Sequence, residues 1–292
     1  MHPIMDLISE MQKLEGHLPK GEQRVADFIL DDLENTAFLN QNEIATGAHV
    51  SVATVNRFCS TLGCAGFRDF KIRLAQSAAV SLQYMQAKPQ NDAAPHAAID
   101  QVFGGFEATL RRARQQLQVA EVDRAIAALG SARRILFFGV GGGSATVARE
   151  GANRFFRLGT PSEAHSDGYY QRMLASTLGE GDVVFAISAS GCPRELRDSV
   201  AIAKQYGAAS LCLTKPGSPL AALCDISLGL DLPEDSDIFK PSASRLVFMA
   251  VLDVLATGVA RQNPEHAKEN LRRIRTSLLA ISPDTGPQPI GD

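Results

Sequence analysis

The chain has no apolar run approaching the ~20 residues a membrane-spanning helix needs, no cysteines paired at CxxC spacing and no surplus of basic charge. Each absence closes off a class of function. Without a spanning segment, and with a beginning, MHPIMDLISEM, too acidic and polar for a secretory leader, the expectation is a cytoplasmic protein with no membrane partner. The five cysteines, Cys59, Cys64, Cys192, Cys212 and Cys224, are odd in number and scattered. That pattern argues against a disulfide framework or a zinc site and for reduced thiols, so neither a metal site nor a cofactor is expected. There is also no internal repeat that would suggest a solenoid.

The formal net charge of −3 excludes a chain that is basic throughout, but not a local basic footprint, which is what contact with phosphates requires. Between Ile44 and Ala79 the charges are Arg57, Arg68, Lys71 and Arg73 against Asp69 alone, whereas Asp6 to Glu43 is dominated by acids. At 292 residues, 45% hydrophobic and 21% charged, the composition is that of a globular protein with room for two cores.

Residues 1–78 read as a succession of short helices, with Val25, Phe28, Ile29 and Leu33 recurring at three- and four-residue intervals. Residues 79–98, polar and alanine-rich with Pro89 and Pro95, read as a linker. Residues 99–281 begin with two helical stretches and then alternate. Apolar runs at Arg134–Gly139, Asp182–Ser188, Ala209–Thr214 and Ile226–Leu230 are separated by helical segments, and a long helix spans about Ser242 to Arg261. Continuous apolar strands between helices predict a parallel sheet covered on both faces. The expected fold class is thus α/β, an all-α domain followed by a doubly wound parallel-sheet domain, with residues 282–292 as a disordered tail.

In the first domain, NQNEIATGAHVSVATVNRFCSTLG has helix-turn-helix grammar. A short helix over Asn42–Thr46 is followed by the turn Gly47-Ala48-His49, with Val50 plugging it and Ser51 capping a second helix that starts at Val52. With Val55 and Phe58 facing inward, Ser51, Ala53, Thr54, Asn56 and Arg57 are expected at the exposed N-terminal end that such helices insert into the major groove. Arg57 suits guanine and Asn56 adenine, each through two parallel hydrogen bonds. Lys71 and Arg73 would hold phosphates of double-stranded DNA. The rival reading is a three-helix module that binds a protein and leaves Arg57 solvated; His49 is given no role.

In the second domain, Phe138-Gly-Val-Gly-Gly-Gly-Ser144 follows a strand and opens a helix, where Gly141, Gly142, Gly143 and Ser144 can offer backbone N–H groups to an anion. A dinucleotide site, with Glu163 near the end of a second strand, and a ligand-free glycine turn are the alternatives. The second loop, Ser188-Ala-Ser190-Gly191, leads into a helix from about Pro193 that carries Glu195. Two serine hydroxyls at a helix start suit a phosphate monoester, and a dinucleotide fold has no need of them. Lys240 and Arg245 are candidates for a ligand carboxylate, and Glu195 for sugar hydroxyls. A sugar-phosphate isomerase or lyase with Glu195 or His165 as base is the enzymatic alternative.

Ala53-Thr-Val-Asn-Arg-Phe-Cys59, Gln171-Arg-Met-Leu-Ala-Ser176, Leu232-Pro-Glu-Asp235 and Val251-Leu-Asp-Val-Leu-Ala-Thr-Gly258 carry a further signal. Through these strings nearly the whole chain resembles the RpiR-type regulators, which couple a helix-turn-helix to a SIS (sugar isomerase) domain, and within them the branch governing glucose and Entner–Doudoroff metabolism. The resemblance implies a regulator without enzymatic activity, mainly a repressor. It further implies a homodimer on a palindromic operator, released by a phosphorylated sugar acid, 2-keto-3-deoxy-6-phosphogluconate. It makes Ser144, Ser188 and Ser190 phosphate ligands and Arg57 a DNA contact. One departure is Pro193, which stands where many SIS loops have a threonine hydroxyl.

Overall fold

The computed structural model describes residues 6–86, 95–232 and 242–279. They divide into two compact units, a first within residues 6–86 and a second from residue 95 onward.

The first unit is all-helical: α1 (Leu7–Lys13), α2 (Lys20–Asp31), α3 (Leu33–Thr36), α4 (Gln41–Gly47), α5 (Val52–Thr61) and α6 (Phe67–Gln86). The periodic apolar positions supply its core: Val25, Ala26 and Ile29 from α2, Ile44 and Ala45 from α4, Val55 and Phe58 from α5, and Phe70 and Leu74 from α6. The Phe58 and Phe70 rings meet edge to face at 5.9 Å, a preferred aromatic geometry. Gly47 ends α4 directly over the Phe28 ring, where a Cβ would lie 2.3 Å from Cζ, so a larger residue there would have to displace the ring on which α4 closes.

The second unit contains α7 (Pro95–Gln116), α8 (Val119–Gly130), β1 (Arg134–Gly139), α9 (Gly142–Arg157), β2 (Ser162–His165), α10 (Gly168–Ala175), β3 (Asp182–Ser188), α11 (Arg194–Gln205), β4 (Ala209–Thr214), α12 (Pro219–Leu223), β5 (Ile226–Gly229), α13 (Ser244–Gln262) and α14 (Pro264–Leu279). The five strands are parallel in the order β2-β1-β3-β4-β5. Alternate side chains of one strand enter different cores, as a two-residue period requires. Ile135, Phe137, Val183, Phe185 and Ile187 pack with residues of α8, α9 and α13, while Leu136, Phe138, Val184 and Ala186 pack with α10, α11 and α12. The sheet is therefore covered on both faces, as its continuous apolar strands predict.

Three features depart from the sequence reading. The segment 79–98 is not a connector throughout. Helix α6 runs on to Gln86 through alanine- and serine-diluted sequence, and α7 starts at Pro95, a first-turn position where the missing N–H costs nothing. Strand β2, which the sequence offers only as the second strand carrying Glu163 in the dinucleotide alternative, is not among the apolar runs because Ser162-Glu-Ala-His165 is short and half-exposed at the sheet edge. Helix α14 follows the long helix and was also passed over, since Ala267 is its one buried residue among those described. The expected tail 282–292 and Lys240 lie outside the described residues. No helix among the described residues is long and apolar enough to cross a membrane.

Candidate functional sites: a recognition helix and a two-loop anion cradle

In the first unit α4 starts with a capping box. The Asn40 side chain accepts from the N–H groups of Asn42 and Glu43, and Glu43 accepts from the Asn40 N–H at 2.6 Å. His49 makes the turn at φ 53°, the one non-glycine residue with positive φ among those described. Ser51 then caps α5 by accepting from the Thr54 N–H at 3.2 Å. These contacts fix α5 by its first turn and leave Ser51, Ala53, Asn56 and Arg57 exposed. Asn56 is steadied by Gln41, whose amide donates to its Oδ1 at 2.6 Å, and Arg57 Nη2 donates to Thr54 Oγ1 at 3.0 Å.

Three sequence expectations change here. Thr54 is buried (8% exposed) because its methyl packs on Gly21 while its hydroxyl serves Ser51 and Arg57, so it orients Arg57 instead of facing outward. Lys71 spends two of its three N–H donors on the Phe38 and Leu39 carbonyls, both at 2.8 Å, which pins the segment before α4. Arg73 forms a two-point pair with Asp69, one turn earlier on α6. Both cations expected to hold phosphate are thus engaged within the domain, whereas Arg68 is exposed on α6 with no partner among the described residues. Cys59, in the core of this unit, has its thiol pushed up to about 12 by burial and stays neutral.

In the second unit the strand order reverses between β1 and β3: the chain leaves β1 toward β2 on one side and extends from β3 to β4 and β5 on the other. At such a switch point the loops leaving the carboxyl ends of two adjacent strands diverge and open a crevice. The glycine loop follows β1 and the serine loop follows β3, with Gly139 and Ile187 in register, so the two predicted loops are brought together. Gly139 is required by close approach, since a Cβ there would lie 2.4 Å from the Ser144 carbonyl oxygen. Helix α9 begins after Gly141 (φ 81°) without a side-chain cap, and Gly142 and Gly143 are exposed with nothing within 4 Å of where a Cβ would stand. Ser144 is half-buried, and its hydroxyl has no hydrogen-bond partner among the described residues.

Across the crevice Ser188 is 4% exposed and its Oγ accepts from the Gly191 N–H at 3.0 Å, leaving the hydroxyl proton available to a ligand. Ser190 is exposed and accepts from the Cys192 N–H at 3.3 Å. Pro193 is the N-cap of α11, which also starts without a side-chain cap, and Glu195 is exposed in its first turn against Gly168. Two residues that the sequence reading missed hold this loop. A Cβ on Gly191 (φ 66°) would lie 2.2 Å from Ser218 Oγ and 2.7 Å from Thr214 Oγ1, so both hydroxyls pack under its Cα. The Ser218-Pro219 pair, a helix-start signature, could have flagged one of them.

His165 lies at the end of β2, its Nε2 3.1 Å from Glu163 Oε2 and its ring edge-on to Tyr170. Arg245 is exposed in the first turn of α13. Below the crevice, Asp182 (1% exposed) anchors the start of β3. Burial pushes its carboxyl up, but hydrogen bonds from Arg133, the Gly179 N–H and Arg134 outweigh that and hold it below the ordinary carboxylate range.

Comparison with known proteins adds the lineage. A helix-turn-helix domain of the rpiR family matches residues 5–81, and a SIS domain matches residues 128–258. The chain is 39% identical over 276 residues to the HTH-type transcriptional regulator HexR of Pseudomonas aeruginosa, covering 94% of this chain and 96% of that protein. It is 36% identical to HexR of Escherichia coli, with 94% of each covered. The Bifunctional protein glk of Paraburkholderia xenovorans is 34% identical over 256 residues, 87% of this chain but 40% of that longer protein. Among solved structures, the Vibrio vulnificus NanR protein complexed with ManNAc-6P shares the fold, with a TM-score of 0.60 at 24% identity over 94% of this chain and 98% of that one. With both domains matched in order and HexR regulators aligned nearly end to end, the chain belongs to the RpiR family of helix-turn-helix transcriptional regulators with a SIS domain.

Proposed function

We propose that this regulator is mainly a repressor of glucose and Entner–Doudoroff metabolism, acting in the cytoplasm and leaving its operator when a phosphorylated sugar acid fills the SIS crevice. The observation that carries the reading is the meeting of two uncapped helix starts, α9 and α11, with Ser144, Ser188 and Ser190 at one switch point. Free backbone N–H groups, two helix dipoles and three hydroxyls suit a phosphate monoester. The resemblance read from the sequence implies 2-keto-3-deoxy-6-phosphogluconate as the effector, and the HexR relatives put the chain among transcriptional regulators.

On the DNA side, Ser51, Ala53, Asn56 and Arg57 present the recognition surface of α5, and Arg68 replaces Lys71 and Arg73 as the phosphate contact from α6. SIS domains pair into a homodimer and set two recognition helices on the half-sites of a palindrome, about 34–36 Å apart. The effector acts by binding more tightly to a dimer whose half-site spacing is wrong, since a ligand shifts an equilibrium only by its differential affinity for the two states.

The test is fluorescence anisotropy on a labelled palindromic operator. The sugar acid should release the wild-type protein. Arg57→Ala should weaken operator binding by about 5- to 150-fold, the worth of a two-point base contact, with effector affinity intact. Ser188→Ala should bind operator normally and ignore the effector. An operator complex indifferent to the acid would overturn the effector reading. Turnover of a sugar phosphate by the purified protein, with Glu195 or His165 as base, would establish the isomerase or lyase alternative instead.

A further inference from the structure

We infer that Arg149 recognises the carboxylate of the effector and is the residue that separates phosphorylated sugar acids from neutral sugar phosphates. The inference rests on the sugar-acid reading above and names the part of the site that would make it selective.

A cavity of about 160 Å³ opens at the carboxyl end of β2, lined by Ala145, Thr146, Arg149, Ala164, His165 and Ser166. Its first lining residue follows Ser144 directly, so it continues the glycine loop along the next turn of α9. The cavity is small beside the roughly 300–1,000 Å³ of a pocket that encloses a whole small ligand. It suits one end of a ligand whose other end lies elsewhere. With two strand spacings between them, β2 stands about 9.6 Å from β3, a separation that a six-carbon chain with an anion at each end can bridge from the serine loop.

The charge state of the lining points to the group received. Arg149 is exposed and makes no ion pair or hydrogen bond among the described residues. The other arginines of α9 are engaged: Arg154 pairs with Glu150 at 2.7 Å and Asp253 at 3.0 Å, and Arg157 lies over the Phe156 ring. The rest of the wall is held in place. Thr146 Oγ1 donates to the Gly142 carbonyl at 2.7 Å, and His165 is fixed by Glu163 and Tyr170, which leaves Arg149 as the permanent cation facing the space. A guanidinium fork matches a carboxylate through two parallel hydrogen bonds. The phosphate is already served by backbone N–H groups at the switch point, so the second anion is the acid.

Thermal unfolding of the full chain over concentration series of 2-keto-3-deoxy-6-phosphogluconate and of inorganic phosphate gives an apparent Kd for each. Arg149→Gln should weaken the sugar acid at least tenfold and leave phosphate within twofold. Arg149→Lys, which keeps the charge and loses the fork, should fall between, and Ser188→Ala should weaken both ligands together. An Arg149→Gln protein that holds the acid as tightly as wild type, or loses phosphate in the same proportion, overturns the inference alone. Wild-type protein that binds phosphate but no sugar acid overturns the effector reading and this inference with it.

Discussion

Helices α5 and α9 each begin at a surface proposed to bind, yet they begin in opposite ways. Ser51 caps α5 with its own hydroxyl, and Asn40 with Glu43 does the same for α4, so first-turn backbone donors of these two helices are engaged within the chain. What α5 has left to offer is side chains, Asn56 and Arg57, which can tell one base from another. Helix α9 begins on Gly141, and α11 on Pro193, with no side-chain cap, so their donors stay open to an anion. An uncapped start is not sufficient, since α2 and α8 begin that way at Pro19 and Gln118. What distinguishes α9 and α11 is position, at the ends of adjacent strands where the sheet order reverses. In the proposed function, one element type thus serves sequence reading or phosphate binding according to its first residue and to what it points at.

The contrast breaks most severely at Gly191. Gly191→Ala adds the strain of a left-handed backbone to a clash with Ser218 and Thr214, and should destabilise the SIS domain by about 3 kcal/mol. Denaturant unfolding measures this, and phosphate binding should be lost well below the new midpoint. A fully stable variant would mean that the hydroxyls do not support the loop. Next comes Asp182→Asn, expected to cost about 2 kcal/mol near neutral pH through weakened charge-assisted hydrogen bonds. The sign with pH follows from the lowered folded-state pKa. The carboxylate's contribution is complete above its unfolded value of about 3.9 and is lost as pH falls through the folded value. Urea midpoints of wild type and variant should therefore converge below about pH 4; a constant gap down to pH 2 would refute the assignment.

Much of this was legible in the sequence, and what was not has physical causes. Strands β1, β3 and β4 are buried on both faces along nearly their whole length, so each is an apolar run that stands out in the sequence; β5, at one edge, alternates buried Ile226 and Leu228 with half-buried residues, while β2, at the other edge, is half-exposed throughout. The glycine and serine loops were readable because strand-loop-helix order places them at carboxyl ends without knowledge of distances. Lys71 and Arg73 misled because residue type shows charge but not engagement: the partners of Lys71 are carbonyls some 30 residues away in sequence. Thr54 misled in the same manner, its burial set by Gly21 on another helix. Thr214 and Ser218 support Gly191 from a neighbouring strand and loop, a relation that appears only once the sheet is assembled.

Smaller substitutions sharpen the comparison of helix starts. Ser51→Ala removes a working cap and should cost the DNA-binding domain about 1 kcal/mol. Ser144→Ala, at the third position of an uncapped helix and without a partner, should change stability by less than about 0.5 kcal/mol while weakening effector binding. Calorimetric unfolding alongside effector titration separates the two; equal stability losses would mean that Ser144 is structural and that the contrast does not hold.

The smallest expected effect is at His49. Its left-handed backbone costs an L-residue roughly 1–2 kcal/mol, and glycine returns part of that gain through the greater freedom of its unfolded chain. His49→Gly should therefore raise stability by about 0.5 kcal/mol without changing operator affinity, because the turn keeps its shape and α5 its cap. Should operator affinity fall while stability rises, the imidazole is itself a DNA contact. The turn would then belong with Arg57 among the groups that read the operator instead of with Ser51 among those that position the reader.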